Sequence, residues 1–278
     1  MDNLQIKQIH GQVLELYTTS LLPIVRKYFG KETNLAKEKQ SDKYANTLVT
    51  QADLAMHTAL FENLPKILPG ASVISEECND RTITKYTFII DPIDGTHTFA
   101  RNLDDWGISI VLIESGEVIY AVIFFPNCNT KYYYAIKGLG AFDSEDKKVS
   151  PRAFFKFKPT IVCAPFSRKT GRALIELTKN KMLSFKAYGS VVYALYTQLR
   201  GGTDFLVFDH LNIWDVLGCA FIAEQTGLVV KWVGTKPNYE NKANHDILTQ
   251  KYTLITYKPD FDKNQLDDLV NMVNLTSE

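Results

Sequence analysis

The 278-residue sequence has few cysteines, no excess of one charge and no long apolar run. Its four cysteines, Cys78, Cys128, Cys163 and Cys219, lie far apart and form no Cys-x-x-Cys pair, which argues against a zinc knuckle or a disulfide framework. Basic and acidic residues number 31 each, so the charge balance does not favour nucleic acid or an anionic membrane as a partner. No apolar run approaches the roughly 20 residues that span a bilayer, and no basic-then-apolar leader opens the chain. We expect an unprocessed cytoplasmic protein.

The sequence does contain enough apolar material for a large core, since 45% of it is hydrophobic and 12% aromatic. It shows no internal repeat. We predict one compact unit built from two halves: an α+β half over residues 1–150 and an α/β half over 151–278. Helices are predicted over 4–28, after Thr50, and over 170–177, 190–199, 214–226 and 262–273. An antiparallel meander is predicted over 107–136, and the polar segment 31–44 is predicted to be a loop.

The segment Asp91-Pro92-Ile93-Asp94-Gly95-Thr96 follows an apolar run, 86–90, that is typical of a buried strand. Two carboxylates therefore leave one strand end together. Carboxylate oxygens are hard ligands suited to Mg²⁺, and backbone N–H groups after a Gly-Thr turn are suited to phosphate. Taken alone, the same residues also suit an ordinary turn.

Further acidic residues stand at three other element ends. Asp53 falls in the first turn of a helix capped by Thr50, Glu76 and Glu77 follow a short strand, and Asp215 opens a helix after Trp214. Each position alone has a structural explanation, because acids at helix starts are favoured by the helix dipole and paired acids often form solvated turns.

The joint pattern closely resembles the inositol monophosphatase family across about residues 46–227. The resemblance is carried by five segments: 49–53, 75–77, 91–96, 189–190 and 214–218. It implies a layered α-β-α-β-α sandwich of the inositol monophosphatase/fructose bisphosphatase type. It also implies a Mg²⁺-dependent, lithium-sensitive phosphomonoesterase that commonly forms a homodimer and acts on a small phosphorylated substrate.

The resemblance also assigns roles to individual residues. The expected ligands of two or three Mg²⁺ ions are Glu76, Asp91, the carbonyl of Ile93, Asp94 and Asp215, with Glu77 near a weaker third ion. Asp53 and Thr96 are expected to orient and deprotonate the attacking water, with Glu76 counted among the catalytic residues. The N–H groups of Gly95 and Thr96 would hold the phosphate, and Gly189, Ser190 and Val191 would line the alcohol part of the substrate.

This residue set suits direct attack by water, without a covalent intermediate. A phosphate monoester is a dianion, so its hydrolysis needs charge neutralisation and a nucleophile available near neutral pH. Two metal ions about 4 Å apart can supply both. An aspartyl-phosphate phosphatase is excluded, because its nucleophile position, two before Asp94, is occupied by Pro92. A catalytically inactive binding or regulatory homologue is the rival class.

Departures from the family pattern concern the substrate. Phe208 stands where inositol-selective members carry Glu, and Asp209 could substitute only if the loop shifts. His97 replaces the more usual Thr, and Leu217 stands where Ala is common. The alternative substrates are histidinol phosphate, a 3′-phosphoadenosine nucleotide and a sugar bisphosphate. The last would need a basic patch, which Lys186, Arg200 or a residue of the other subunit could supply.

Overall fold

The computed structural model describes residues 1–31, 36–41, 45–78, 82–151, 160–164, 171, 184–234, 236–237, 250–260, 267 and 271. Side chains at 36–48, 160–164 and 185 lie outside this description. No helix in the described part of the chain is both long and apolar enough to cross a membrane. Cys78, Cys128 and Cys219 are free thiols.

The first helical segment follows the predicted spacing but contains one wider turn. Helix α1 spans Asn3–Leu16, a π-helical turn spans Tyr17–Leu21, and α2 spans Leu22–Tyr28. The segment stops just before Gly30, which takes a left-handed backbone with φ +71° that glycine adopts without a Cβ clash. The predicted helix over 4–28 is thus confirmed.

The loop prediction for 31–44 is wrong where the structure describes that segment. Strand β1, Ala36–Ser41, pairs antiparallel with β2, Ala45–Thr50. The polar sequence concealed the hairpin because ladder hydrogen bonds join backbone groups and do not require apolar side chains. Thr50 then caps α3, Gln51–Ile67, as expected.

A seven-stranded sheet carries most of the first half. Its strands, in spatial order, are β3 Ser72–Ser75, β4 Tyr86–Asp94, β5 Gly107–Glu114, β6 Glu117–Phe124, β7 Tyr132–Ile136, β8 Gly140–Asp143 and β9 Lys148–Val149. Strand β3 runs parallel to β4, and all later neighbours are antiparallel. The meander prediction is confirmed and gains two short strands. The short helix α4, Thr96–Ala100, lies between β4 and β5.

A five-stranded sheet belongs to the second half. It contains β10 Thr160–Ala164, β11 Ser184–Ala187, β12 Phe205–Leu211, β13 Val229–Val233 and β14 Tyr252–Tyr257, in the order β11-β10-β12-β14-β13. Helices α5, Val191–Leu199, and α6, Ile213–Thr226, confirm two predicted helices. The helices predicted over 170–177 and 262–273 lie outside the described residues, apart from isolated positions.

The layers follow from the alternation of side chains along the large sheet. Phe88 and Ile90 of β4 face a core shared with α1, α2 and α3, whereas Ile89 faces a core shared with α5 and α6. The second core also contains Leu206 and Leu254 of the five-stranded sheet. Four layers are therefore described, helices–sheet–helices–sheet, and the inner helix pair is buried on both sides. These four layers agree with the predicted α-β-α-β-α sandwich, and its fifth layer is not among the residues that the structure describes.

Candidate metal centre

Two of the acidic residues come from the end of β4, where its pairing with β5 becomes irregular. Asp91 pairs with Ser109 and Asp94 with Gly107, so the register shifts between them. Such a bulge places an extra residue in one strand and redirects its side chains. The Ile93 backbone N–H donates to Asp91 Oδ1 at 3.1 Å, which fixes that carboxylate within the bulge.

The third acidic residue, Asp215, comes from the first turn of α6. Its Oδ2 accepts a hydrogen bond from the backbone N–H of Asn212 at 2.8 Å, and the Asn212 side chain caps the helix in return. Helix α6 approaches β5 closely at Gly218, where an added Cβ would lie 2.7 Å from Ser109 Oγ. The missing side chain of Gly218 therefore lets the helix bring Asp215 up to the end of β4.

One carboxylate oxygen from each of Asp91, Asp94 and Asp215 lies within 4.8 Å of the other two. Asp91 is 2% exposed and Asp94 is 6% exposed. Carboxylate oxygens at this spacing are the donors that a hard divalent cation such as Mg²⁺ prefers. The arrangement therefore fits a cation held between the end of β4 and the start of α6.

The electrostatics of the cluster show why it needs a positive charge. Burial, followed by the charges of Glu76, Asp94, Asp215 and Asp53, raises the pKa of Asp91 well above its usual value. Burial also raises the pKa of Asp94 to about 7 and that of Asp215 to about 6. Without a cation, the ionised carboxylates destabilise one another.

Asp94 also joins the two halves of the chain. Its Oδ2 accepts hydrogen bonds from the hydroxyl of Ser190 and from the backbone N–H of Val192 at 2.8 Å. Ser190 is the N-cap of α5, whose first N–H groups have no acceptor within the helix. The Asp94 carboxylate therefore sits at the positive end of α5, where a negative charge is favoured.

Asp53 and Thr96 form a second group beside the cluster. Thr96 Oγ1 donates to Asp53 Oδ1 at 3.0 Å and lies 3.1 Å from the carbonyl oxygen of Ile93. Asp53 Oδ2 accepts from the Thr50 backbone N–H at 2.8 Å and from the Thr50 hydroxyl. Burial raises the pKa of Asp53 to about 6, against the opposing effect of these hydrogen bonds. The predicted pairing of Asp53 with Thr96 is present in the structure; its catalytic role stays a prediction.

Gly95 begins α4 in a left-handed conformation with φ +92°. An added Cβ there would lie 2.8 Å from Thr98 Oγ1 and 2.9 Å from Ser190 Cβ. A larger residue would therefore have a strained backbone and would also clash with these two side chains. Thr98 Oγ1 closes the turn by donating to the Gly95 carbonyl at 2.7 Å. Gly95 thus holds a conformation that bulkier residues disfavour.

Glu76 and Glu77 follow β3 and remain half-buried. Among the described residues, Glu76 is not part of the group whose oxygens meet within 4.8 Å, although its charge is the largest of those that raise the pKa of Asp91. The Glu77 backbone N–H donates to Ser75 Oγ at 3.3 Å, and the Glu77 charge reaches Asp53. Both acids thus border the cluster, and their assignment as ligands stays a prediction.

The predicted substrate residues occupy different settings. Gly189 stands beside Ser190 and Val191 at the start of α5, next to Asp94. Asp209 is 5% exposed on β12 and accepts a hydrogen bond from Thr253 Oγ1 at 3.0 Å. Three further residues were considered for the substrate or for packing: Phe208 and Leu217 lie in the core, while His97 is exposed.

The two residues considered for a basic patch differ in their surroundings. Lys186 is exposed on β11. Arg200 donates to Thr130 Oγ1 at 3.2 Å and lies over the ring of Tyr196 at 5.7 Å. The structure therefore gives Arg200 a packing role at the end of α5.

Sequence reasoning missed three residues that support the cluster. The backbone N–H of Val192 binds Asp94. Asn212 caps α6 and binds Asp215, which the spacing Asn212-x-x-Asp215 could have revealed as a capping box. Lys251 Nζ donates to Asn212 Oδ1 at 2.6 Å and opposes the rise in the pKa of Asp215. No local signal marks Lys251, which is 36 residues away from Asp215 along the chain.

Comparison with known proteins gives a consistent result. The chain is 28% identical over 234 residues to the inositol-1-monophosphatase of Caulobacter vibrioides, covering 81% of this chain and 88% of that protein. It is 29% identical over 192 residues to the histidinol-phosphatase of Mycobacterium tuberculosis, covering 65% and 72%. An IMPase structure from Thermotoga maritima superposes with a TM-score of 0.75 at 22% identity, covering 92% and 93%.

That structural likeness confirms the predicted fold type, and the relatives named above are phosphatases. The model of the inositol monophosphatase family matches residues 12–258, which include every acidic residue of the cluster. The chain therefore belongs to the inositol monophosphatase family, and it is a hydrolase of phosphoric monoesters.

Proposed function

We propose that this protein is a Mg²⁺-dependent phosphomonoesterase that hydrolyses a small phosphorylated alcohol resembling an inositol monophosphate. The observation that carries the proposal is the meeting of Asp91, Asp94 and Asp215 within 4.8 Å, beside the hydrogen-bonded pair of Asp53 and Thr96. Family membership supplies the reaction class. The buried carboxylates supply the donor set that the metal requires.

The three aspartates would hold Mg²⁺, with Glu76, the Ile93 carbonyl and, more weakly, Glu77 as further ligands. Bound there, two or three Mg²⁺ ions would neutralise charge on the phosphate and lower the pKa of the attacking water. The buried aspartates themselves keep the pocket negative enough to attract the ion and fix where it binds.

Asp53 and Thr96 are proposed to handle the proton of the attacking water. The Thr96 hydroxyl already donates to Asp53 Oδ1, so its oxygen can accept a hydrogen from water while its own proton passes to Asp53. The water oxygen forms a bond to phosphorus as the ester P–O bond breaks. The departing oxygen takes that bond's electron pair and then a proton, giving inorganic phosphate and the free alcohol.

The remaining residues would bind the substrate. Gly95 and Thr96 would present backbone N–H groups to the phosphate, and Gly189, Ser190 and Val191 would line the alcohol. A role for Asp209 would still require the loop to shift, and its Oδ1 accepts a hydrogen bond from Thr253. We further propose a cytoplasmic homodimer inhibited by Li⁺, without nucleic-acid or membrane partners.

The named relatives also keep histidinol phosphate within the range of candidate substrates. A 3′-phosphoadenosine nucleotide remains a further candidate, because another relative, from Salmonella typhimurium, is named a 3′(2′),5′-bisphosphate nucleotidase. A sugar bisphosphate would depend on Lys186, which is exposed, rather than on Arg200, which is engaged with Thr130 and Tyr196.

Phosphate release from a panel of phosphomonoesters, measured with and without Mg²⁺, tests the proposal. We expect release only with Mg²⁺. Thr96→Ser keeps the hydroxyl and should retain most activity, whereas Thr96→Val and Asp53→Asn should lower kcat by about 10²–10⁴-fold. Absence of release from every ester, in a protein that still binds Mg²⁺, would favour an inactive binding homologue.

A further inference from the structure

Asp105 stands next to the proposed phosphate turn, although no part of the reaction described above uses it. Its backbone carbonyl accepts a hydrogen bond from Thr98 Oγ1 at 2.9 Å, the same hydroxyl that closes the Gly95 turn. A Cβ added to Gly95 would lie 3.2 Å from this carbonyl. The backbone of Asp105 is therefore fixed against the residue that would hold the phosphate.

The side chain of Asp105 turns toward the proposed alcohol side of the pocket. Its Oδ2 lies 3.4 Å from the backbone nitrogen of Gly189, a long hydrogen bond for a charged acceptor. Among the ion pairs formed by the described residues, none includes Asp105. The half-buried carboxylate therefore has acceptor capacity that this single weak contact leaves unused.

Two tyrosines flank the Gly189 segment that Asp105 contacts: Tyr188 directly precedes Gly189, and Tyr193 lies in the first turn of α5. Tyr188 and Tyr193 are half-buried, and their rings meet edge to face with centroids 5.2 Å apart. Burial raises the pKa of both phenols, and the negative charge of Asp105 raises it further. The Tyr188 hydroxyl interacts with Thr197, so its ring is held in place.

A carboxylate that forms no ion pair with the described part of the chain, and that has aromatic rings nearby, can attract an organic cation. The carboxylate supplies direct charge pairing, and the negative faces of the rings add a cation–π attraction. A phosphate dianion alone would be repelled by Asp105. A substrate with a positive charge on its alcohol part would instead be attracted to Asp105 at the end opposite its phosphate.

We propose that Asp105, with Tyr188 and Tyr193, selects phosphate esters of amino alcohols, in which a protonated nitrogen lies a few bonds from the ester oxygen. This inference rests on the proposed phosphomonoesterase function and names the substrate class for the same site. The cation contacts Asp105 while the phosphate occupies the turn at Gly95. Neutral polyol phosphates bind in the same turn without that contact.

Matched pairs of substrates test the selection directly. Aminoalkyl phosphates with two to four carbons are compared with hydroxyalkyl phosphates of the same lengths, because the terminal groups differ mainly in charge. Histidinol phosphate and inositol 1-phosphate serve as larger members of the two classes. We expect kcat/KM for the amino esters to exceed that for their hydroxyl partners by about tenfold or more.

The variant Asp105→Asn keeps the shape and the backbone carbonyl but removes the charge. We expect it to lower kcat/KM for amino esters by about tenfold or more, mainly through KM, and to change that for hydroxyl esters by less than about threefold. Asp105→Glu should restore part of the preference. Asp104→Asn, a matched control at the neighbouring acid, should leave the ratio unchanged.

The outcomes separate this inference from the proposed function. Mg²⁺-dependent release that is equal for the two classes, or an amino preference that survives in Asp105→Asn, would overturn the role of Asp105 and leave the phosphatase proposal standing. Absence of Mg²⁺-dependent release from all esters would overturn both.

Discussion

At the residue scale, the acidic cluster favours cation binding but lowers the stability of the metal-free protein. Asp91 is buried among carboxylates, which raises its pKa well above the usual value of an aspartate. Between about pH 4 and 7 the folded protein therefore binds more protons at this cluster than the unfolded chain. The free energy of unfolding of the metal-free protein must then fall as pH rises through this window.

Replacing Asp91 by Asn should remove one member of this repulsive set. In metal-free buffer at pH 8 we expect Asp91→Asn to raise the melting temperature by about 3–8 °C, although it abolishes Mg²⁺-dependent activity. At pH 5 the difference should shrink, because the native carboxylates are then largely protonated. Thermal unfolding at both pH values, after chelation, measures the effect.

Asp260→Asn is the matched control, because Asp260 is an exposed acid outside the cluster. It should change the melting temperature by less than about 1 °C at either pH. A destabilised Asp91→Asn protein at pH 8 would contradict the expected relief of repulsion, since Asn can still accept the hydrogen bond from the Ile93 N–H.

The residues that sequence reasoning found are those with a local signature. Asp91 and Asp94 share a short segment after a buried strand, and Asp53 follows a capping threonine. Lys251 and Asp105 had no such signature, because their relation to the cluster arises only when distant segments meet. Contacts between residues so far apart in sequence cannot be predicted from the spacing of motifs along the chain.

At the element scale, the position of the metal cluster depends on how closely α6 approaches β5. Gly218 faces Ser109, whose buried hydroxyl has no hydrogen-bond partner in the described structure. At this point the backbone of α6 at Gly218 packs directly against the Ser109 side chain of β5. A Cβ added at Gly218 would force either the Ser109 side chain or helix α6 to move, and a movement of α6 would shift Asp215 relative to Asp91 and Asp94.

We expect Gly218→Ala to weaken Mg²⁺ binding by about tenfold and to lower the free energy of unfolding by about 1–3 kcal/mol, because an added methyl group overpacks the contact. Ser109→Ala, which removes the opposing Oγ, should restore part of both losses in the double variant. Isothermal titration with Mg²⁺ and denaturant unfolding, arranged as a double-mutant cycle, measure the coupling.

Ser109→Ala alone provides the control and should be nearly neutral, since its hydroxyl makes no hydrogen bond with described residues. Strict additivity of the two changes would contradict a direct contact. Val111 Cγ2, 3.3 Å from the added Cβ, keeps the rescue incomplete.

Most helices and strands of the described chain were predictable, because apolar periodicity and caps mark them. Thr50, Ser190 and Gly227 each bound a helix where the sequence placed its end. The hairpin of β1 and β2 was missed because its polar residues carry no period. The π-helical turn in the first helix was also missed, since it changes one turn without changing the apolar stripe.

At the scale of the whole molecule, the two predicted halves share one core. Ile89 and Val111 of the large sheet belong to the same apolar cluster as Val216 and Phe221 of α6. We propose on this basis that residues 1–150 and 151–278 form one cooperative unit. The layered architecture was predicted from the family pattern. In the structure it is stabilised by the burial of α6 between the two sheets.

Mg²⁺ should therefore stabilise the whole molecule against unfolding. At a concentration of about 100 times its Kd, we expect a gain of about 2.7 kcal/mol and a rise in melting temperature of about 5–10 °C at pH 8. At pH 5.5 the rise should be smaller, because protons compete for Asp94, Asp215 and Asp53.

Sodium chloride at matched ionic strength controls for general salt effects. A single unfolding transition that moves as a whole with Mg²⁺ supports one cooperative unit. Two transitions, only one of them responsive to Mg²⁺, would contradict it.

The hydrogen bonds from Ser190 and Val192 to Asp94 also bear on how the enzyme matures. These partners are separated by 96 and 98 residues, and Asp215 follows later still. A chain emerging from the ribosome thus carries the β4 carboxylates well before it carries the groups that complete their binding site. Capture of the ion would then mark the last stage of assembly, and a truncated product ending before α6 would stay inert whatever the supply of magnesium in the cell.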